Sequence, residues 1–437
     1  MSDYILNIVK HHKSGNPVGI FSICSANKYV LEASIRYAKQ NNEFLLIEAT
    51  SNQVDQFGGY TGLTPDKFKD IIKKLADSIN FPFSNIILGG DHLGPNVWQK
   101  ESSSSAMNKA KDQIKEYIKA GFTKIHLDTS MKCADDLVKN DNRLDPEIIA
   151  ERAAVLCKIA EETSKETMIY SKPVYVIGTD VPIPGGALED LDIDDIRITP
   201  PEEVDETINL TKYFFEKYGL NDAWLRTVAV VVQPGIEFSN SKVAKYESKK
   251  ASKLVSLINK YDNFVYEAHS TDFQTKNSLR RMIEDHFAIL KVGPWLTFAF
   301  REAVFALANI EKELFSYYKN IRLSNICETL DYVMEKNPKY WNRYYKGTKQ
   351  EIEFAKRYSF SDRIRYYWSY EEVDSALNLL IHNLTKNIIP LNLLSQYMPI
   401  ENDAVMEGRI ENNPKELILH RIMSVLEKYN YAVKGVN

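Results

Sequence analysis

The sequence predicts an α/β protein built on a (β/α)8 barrel, and three observations support this fold class. Short runs rich in β-branched residues alternate with helical patterns eight times, over about the 250–300 residues expected of such a barrel. Crossover helices of this kind require the neighbouring strands to be parallel. Nearly every strand also ends in polar or glycine residues, which favours a barrel with one common mouth over an open sheet with a single crevice.

The predicted strands alternate with amphipathic helices along the chain. The strands are predicted at residues 18–26, 44–50, 85–92, 124–130, 173–181, 228–235, 263–272 and 287–295. Helix starts are clearest at Asp145-Pro146, where a capping side chain precedes a proline, and at Pro200-Pro201. Gly121 stands where the helix before the fourth strand has to end.

The strand signal stops near residue 320, which predicts two parts of the chain. Residues 1–320 are expected to form the barrel, with the active-site mouth at the C-terminal ends of the strands. Residues 321–437 are expected to form a helical extension. Because no Ser/Gly-rich linker separates the two parts, we expect the extension to pack on the barrel.

The composition of the 437 residues excludes several classes of protein. The 55 basic and 59 acidic residues give a formal net charge of −4, which argues against nucleic-acid binding. No apolar run reaches the roughly 18 residues needed to span a bilayer, and the first residues do not resemble a signal peptide, so no membrane contact is expected. Four widely spaced cysteines indicate reduced thiols and a cytoplasmic location.

The sharpest local signal is an aspartate followed by a histidine at the end of the third strand. Asp91 and His92 come directly after two glycines and before a turn. We interpret them as a catalytic acid or base beside a metal-ligating imidazole, because the active sites of barrels lie at this position. The alternative is an aspartate that caps the next helix beside a structural histidine.

A second candidate metal ligand ends the seventh strand. His269 shares a face of the strand with Glu267, whose carboxylate could orient the imidazole ring. If His269 does not lie close to His92, a structural role for it is the simpler interpretation. A catalytic divalent site needs a third ligand, for which Asp180 and Gln233 are the candidates. Asp180 is also a candidate catalytic residue. Two imidazoles and a carboxylate suit Zn²⁺ best, with Mn²⁺ and Fe²⁺ as alternatives.

Several residues near this mouth are candidates for substrate binding. They are Glu48, Asp128, Ser270, Thr271, Asp272, Arg363 and Arg365. Glu48 and Asp128 either contact hydroxyl groups of a substrate or cap the loops that follow them. The loop after the seventh strand is a usual place for a phosphate contact in barrels. The two arginines either bind a phosphate or stack on the aromatic residues beside them.

Two further polar residues are expected to face the barrel interior. His126 lies deeper than the strand ends and is expected to be structural. Lys291 is expected to pair with Glu267 on the neighbouring strand. The alternative for Lys291 is a Schiff-base nucleophile, which would require a lowered pKa.

Long strings of the sequence resemble the Z-type subunit of D-tagatose-1,6-bisphosphate aldolase. They include IEATSNQVDQFGGYTGL, GGDHLGPNVWQ, VIGTDVPIPGGA, VVQPGIEF, YEAHSTDFQT and LKVGPWLTFAFREA. The resemblance implies a barrel related to the class II, metal-dependent ketose-bisphosphate aldolases. It also implies that Asp91 is the catalytic acid and that His92 and His269 are metal ligands.

The chain departs from the wider aldolase pattern at two places and from the Z-type pattern at one. Gln233 stands where the wider group has a third ligand histidine, and a Ser-Thr-Asp sequence replaces its glycine-rich phosphate loop. Asp180 stands where the Z-type pattern has a glutamate. The resemblance therefore implies a subunit that supports a separate catalytic aldolase chain in tagatose or galactitol catabolism. The alternative is an autonomous metal-dependent 4-epimerase that acts on a ketose or ketose phosphate. Whether the chain forms a homo-oligomer stays open.

Overall fold

Eight parallel strands close into a barrel in the computed structural model, which confirms the predicted fold class. The structure describes residues 2–137, 143–167, 171–178, 196–318 and 321–434. Neighbouring barrel strands follow one another in chain order, and the last strand closes the barrel by pairing with the first from Ile20–Ile289 to Ile23–Val292.

The barrel strands fall where the β-branched runs predicted them. They are β1 Ile20–Ile23, β2 Leu45–Thr50, β3 Ile86–Leu93, β4 Lys124–Leu127, β5 Val174–Gly178, β6 Thr227–Val231, β7 Val265–Ala268 and β8 Ile289–Val292. Most predicted runs were longer because they included the polar residues that follow the last paired residue of a strand. A short antiparallel ribbon, Glu237–Phe238 and Val243–Ala244, follows β6 and was not predicted.

Helices surround the barrel and continue after it. They are α1 Ser2–Lys13, α2 Lys28–Asn41, α3 Pro65–Ile79, α4 Ser103–Lys119, α5 Pro146–Glu166, α6 Pro201–Lys217, α7 Asn221–Trp224, α8 Ser248–Ile258, α9 Lys276–Glu284, α10 Pro294–Phe315, α11 Ile326–Lys336, α12 Lys349–Tyr358, α13 Glu371–Lys386, α14 Leu391–Tyr397, α15 Pro399–Met406 and α16 Pro414–Lys434. The Asp145 side chain caps α5 by accepting a hydrogen bond from the Glu147 amide, as its sequence predicts.

The N-terminal helix α1 packs at the barrel end opposite the mouth. Its side chains Ile5, Ile8 and Val9 join an apolar cluster with residues near the starts of the strands, such as Leu46 and Val174. This cluster fills the lower part of the barrel interior. The polar residues of the strands therefore lie above it, toward the mouth.

The helices after residue 320 pack on the barrel. α16 contacts α2, α9 and α10, and its buried residues belong to the same apolar core as those of the barrel helices. The boundary between a barrel at 1–320 and an extension at 321–437 stays a prediction, since residues 319 and 320 lie outside the described ranges. In the described part of the chain, no helix is both long and apolar enough to cross a bilayer.

Candidate functional site

Three imidazoles and one carboxylate meet at the mouth of the barrel. Asp91, His92, His126 and His269 are all buried, and each offers one ligand atom such that these atoms lie within 4.8 Å of one another. The ring centroids of His92 and His269 are 4.8 Å apart. Closure of the barrel thus brings together three residues that the sequence suggested and adds His126, which was expected to be structural.

An irregularity in β3 turns two consecutive side chains toward the interior. The pairing of β3 with β4 shifts register between Gly90 and Leu93, and His92 has a positive φ of 51°. In a regular strand Asp91 and His92 would point to opposite faces, whereas a bulge allows both to face the cluster. A non-glycine residue in this backbone region is strained, and such strain is concentrated at functional sites.

Each of the three imidazoles is held by a carboxylate. The pairs are His92 Nδ1 with Asp128 Oδ2 at 2.8 Å, His126 Nδ1 with Asp91 Oδ1 at 3.0 Å, and His269 Nε2 with Glu267 Oε1 at 3.0 Å. Nε2 of His92, its second ring nitrogen, lies 3.6 Å from Oδ2 of Asp91, beyond hydrogen-bond distance. Nε2 of His126 is buried without a hydrogen-bond partner in the described part of the chain. Metal-binding histidines are arranged in this way, with a carboxylate on one nitrogen and the metal on the other.

The charges around the cluster shift the pKa values of its members in different directions. Burial, together with the charge of Lys291, lowers the pKa of His269 to about 3, so this ring is neutral at physiological pH. Burial acts to raise the pKa of Asp91, but His92 and Lys291 outweigh it and hold that pKa well below its usual value. Burial acts to lower the pKa of His92, but Asp91 raises it above its usual value. Because a metal binds the neutral imidazole, a metal at His92 competes with the proton that this shift favours.

A buried network of alternating charges lies between the histidine-aspartate cluster and the apolar cluster that fills the lower part of the barrel. Lys124 pairs with Glu48 and Glu267, each at 2.6 Å. Lys291 pairs with Glu48 at 2.7 Å and with Glu267 at 3.5 Å, and it also contacts Asp91. Because every charge has an opposite neighbour, removing one would leave others buried and uncompensated. Lys124 was not singled out from the sequence.

The sequence analysis expected Lys291 to form an ion pair with Glu267, and the two side chains do pair in the structure. Burial acts to lower the pKa of Lys291, but Asp91, Glu48 and Glu267 raise it well above its usual value. A Schiff-base nucleophile has to be deprotonated and needs a lowered pKa. The surroundings of Lys291 therefore oppose the Schiff-base alternative.

A cavity of about 480 Å³ opens onto the cluster. It extends from Asp91, His92 and His269 to Arg365 and Tyr366 in the segment after the barrel. Uncharged polar side chains on its wall are Ser25, Asn27, Asn52 and Gln53. Its volume and its mixture of apolar and polar groups are those of a small-molecule site.

Three of the predicted substrate-binding residues line the cavity, namely Ser270, Asp272 and Arg365. The Asp272 carboxylate accepts hydrogen bonds from the amides of Gly293 at 3.0 Å and Trp295 at 2.8 Å. The Arg365 guanidinium donates to the Tyr366 hydroxyl at 3.0 Å. Ser270 has a positive φ of 54°, directly after His269.

The other predicted substrate-binding residues have partners elsewhere in the protein. Glu48 is enclosed by the ion pairs of the network, and Asp128 holds His92. The Thr271 hydroxyl donates to the backbone oxygen of Lys291 at 2.6 Å. The Arg363 guanidinium lies 3.2 Å from the centre of the Tyr344 ring, which the sequence analysis did not name, and 5.8 Å from that of the adjacent Tyr366.

Of the two candidates for a third metal ligand, Gln233 does not join the cluster. The side-chain oxygen of Gln233 accepts from the amides of Gly235 at 2.8 Å and Ile236 at 3.0 Å, so it closes its own turn. Asp180 lies outside the described residues. His126, which the sequence analysis expected to be structural, offers a ring nitrogen to the same cluster.

Comparisons with known proteins identify the family of the chain and agree with its fold. The family described as "D-tagatose-1,6-bisphosphate aldolase subunit GatZ/KbaZ-like" matches residues 5–434. A crystal structure described as a probable tagatose 6 phosphate kinase from Sinorhizobium meliloti 1021 is 40% identical, with a TM-score of 0.86, and the match covers 95% of this chain and 100% of that one.

Two solved aldolases are more distant. The fructose-bisphosphate aldolase of Campylobacter jejuni is 14% identical, with a TM-score of 0.43 over 88% of this chain and 92% of that one. The YdjI aldolase of Escherichia coli K12 is 11% identical, with a TM-score of 0.39 over 82% of this chain and 93% of that one. Likeness at this level carries no argument about function.

Proposed function

The chain belongs to the GatZ/KbaZ-like family of D-tagatose-1,6-bisphosphate aldolase subunits, and from this premise we propose that it supports a separate catalytic aldolase chain. The observation that carries this proposal is the family match over residues 5–434. The engaged side chain of Gln233 also supports it, because it leaves the site without the strand-six ligand expected of the wider aldolase group.

Copurification with a catalytic tagatose-bisphosphate aldolase chain tests this role. We expect the specific activity of that chain, or its half-life at 37 °C, to increase when our protein is present. Bovine serum albumin at equal mass is the control for unspecific stabilisation. If neither quantity changes in a stable mixture of the two chains, the supporting role is wrong.

We also propose that the site holds a divalent metal, with Zn²⁺ preferred and Mn²⁺ or Fe²⁺ as alternatives. His92, His126 and His269 would hold it, and the unpartnered Nε2 of His126 is the observation that supports the fit. Such a metal, when bound, supplies a Lewis acid that polarises a ketose carbonyl. Elemental analysis of the purified protein tests this, with one equivalent expected in the wild type and none in His92→Ala or His269→Ala.

A second candidate function, an autonomous 4-epimerase, is favoured by the presence of one carboxylate and three imidazoles together in a single chain. The ionised Asp91 carboxylate faces the cavity beside the three imidazoles. It would accept the proton of the C4 hydroxyl as the C3–C4 bond breaks, while the electron pair of that bond moves toward the C2 carbonyl. The same proton would return to the C4 oxygen after the aldehyde has turned its opposite face and the bond has re-formed.

Incubation of the metal-loaded protein with ketoses tests the epimerase function. The substrates are D-tagatose 6-phosphate, D-fructose 6-phosphate and the two free ketoses, and the products are separated by chromatography. We expect inversion at C4 in the wild type and a loss of at least about 100-fold in Asp91→Asn, as for removal of a general base. Absence of inversion in all four substrates with metal bound would leave the supporting role alone.

We place the protein in the cytoplasm as part of this proposal. Cys24, Cys133, Cys157 and Cys327 are all free thiols. Reduced thiols are usual in the cytoplasm, where sugar phosphates are also made and consumed.

A further inference from the structure

The start of α10 is a place where barrels commonly bind phosphate, but in this chain it already holds a carboxylate. The amides of Gly293 and Trp295 both donate to Oδ1 of Asp272, which comes from the loop after β7. Loops after the last two strands and a helix N-terminus are the usual donors to a phosphate in this fold. Asp272 therefore occupies the anion position with a group of the protein itself.

The Asp272 side chain is fixed and charged at neutral pH. It is 3% exposed. Its two amide partners are Gly293, the residue before α10, and Trp295, the second residue of that helix. Burial raises the pKa of Asp272 to about 6, which still leaves the carboxylate mostly ionised above pH 7. A phosphate that approached these amides would meet both an occupied donor pair and a like charge.

Among the described residues that line the cavity, Arg365 is the cation best placed to receive a further anion. The cationic lining residues are Lys28, Lys291 and Arg365. Lys28 pairs with Asp374 at 2.8 Å, and Lys291 belongs to the buried network. Arg365 has hydrogen bonds to uncharged oxygens, and no carboxylate within 4.0 Å of it occurs among the described residues. A guanidinium in this state is suited to one phosphate group.

We infer that Asp272 determines substrate specificity: it closes the phosphate position at the start of α10, so the site takes a ketose with one phosphate, bound by Arg365, in preference to a ketose bisphosphate. This inference rests on the proposed ketose site and makes it more specific. It also changes the expected role of Asp272 from substrate contact to exclusion of a second phosphate.

Calorimetric titration of the zinc-loaded protein at neutral pH tests the inference without requiring turnover. The ligands are D-tagatose 6-phosphate and D-tagatose 1,6-bisphosphate. We expect the wild type to bind the monophosphate at least about 10-fold more tightly. In Asp272→Ala the amides are released, and we expect the bisphosphate to gain at least about 10-fold while the monophosphate changes little. Asp66→Ala, an exposed position on α3, is the matched control.

Each outcome has a distinct meaning. Tighter binding of the bisphosphate by the wild type would overturn the inference and leave the ketose site intact, and this comparison does not depend on the variant. A folded Asp272→Ala protein with the wild-type ratio of affinities would remove Asp272 as the cause. Binding of neither ligand by a protein that holds its metal would overturn both the inference and the proposed ketose-phosphate site.

Discussion

Nδ1 of His92 lies 2.8 Å from the carboxylate of Asp128, across the boundary between β3 and β4. Burial acts to raise the pKa of Asp128, but the hydrogen bond and charge of His92 outweigh it and lower that pKa. The carboxylate is therefore ionised and accepts the Nδ1 proton, which fixes the ring and leaves Nε2 toward the cluster. The ends of β3 and β4 thus supply both the proposed metal ligand His92 and the carboxylate that orients its ring.

Replacing Asp128 by asparagine is expected to weaken metal binding by about 10–100-fold, which is the usual effect of removing a carboxylate that orients a metal-binding histidine. The amide keeps the shape of the side chain but no longer fixes the tautomer of His92. Competition with a chromophoric chelator measures the affinity. Asp112→Asn on the exposed face of α4 is the control, and equal affinities in both variants would show that Asp128 does not orient a ligand.

His126→Gln tests the ligand that the sequence analysis did not assign. We expect metal affinity to fall by at least about 10-fold, because the buried Nε2 of His126 would no longer be available. The free energy of unfolding of the metal-free protein is measured beside it, to separate loss of a ligand from loss of packing. Wild-type metal affinity in a folded variant would restrict the ligands to His92 and His269.

The barrel could be predicted from the sequence because its signal is repeated and local. Each strand is a short β-branched run between helical patterns. All residues of β5 and β6 are buried, and most of them are β-branched. Helix α1 was not predicted because one short amphipathic segment without a neighbour in a repeat gives no such signal. Its place becomes evident only once the closed barrel shows which apolar end needs to be covered.

The site was less predictable because part of it depends on local backbone geometry. Alternation of faces cannot place Asp91 and His92 on the same side, and only the register shift in β3 does so. The two glycines before them were the available signal. The turn that engages Gln233 and the depth of His126 depend on how the closed barrel is sheared, which one sequence does not reveal.

Lys291→Met is expected to destabilise the protein by about 3–5 kcal/mol, the range found when one partner of a buried ion pair is removed. Glu48, Glu267 and Asp91 would then face one another with only Lys124 to compensate them. Urea unfolding of the metal-free protein measures the effect. Lys67→Met on the exposed face of α3 is the control, and a similar small change in both would contradict the role of the network.

The pair of histidines at the base of the barrel predicts a loss of stability in acid. Nε2 of His12 lies 2.9 Å from Nδ1 of His286, and burial, with the charges of His12 and Lys13, lowers the pKa of His286 to about 4. Between the usual histidine pKa and this value the unfolded chain binds the proton and the folded chain does not. Stability from this group is therefore full above pH 6.5 and is lost as the pH falls toward 4.

His286→Asn tests this contribution, since asparagine tolerates the positive φ of 71° at this position. Between pH 7 and pH 4.5, we expect the free energy of unfolding of the variant to fall by about 1–2 kcal/mol less than that of the wild type. This range allows for the partial exposure of the His286 ring. Urea unfolding at the two pH values measures the difference. Parallel losses in both proteins would assign the acid sensitivity to other groups.

Arg365→Gln is expected to weaken binding of a ketose phosphate by about 10–100-fold, since hydrogen bonds to a charged group contribute about 1.5–3 kcal/mol. Binding of the free ketose should change little, because its hydroxyls meet the uncharged side chains on the cavity wall. Arg365→Lys keeps the charge without the planar donor pair and is expected to lie between the two. Calorimetric titration measures all three proteins with both ligands. An equal loss for free ketose and ketose phosphate would mean that Arg365 shapes the cavity through its bonds to the Asp362 backbone and the Tyr366 hydroxyl, and that the phosphate binds elsewhere.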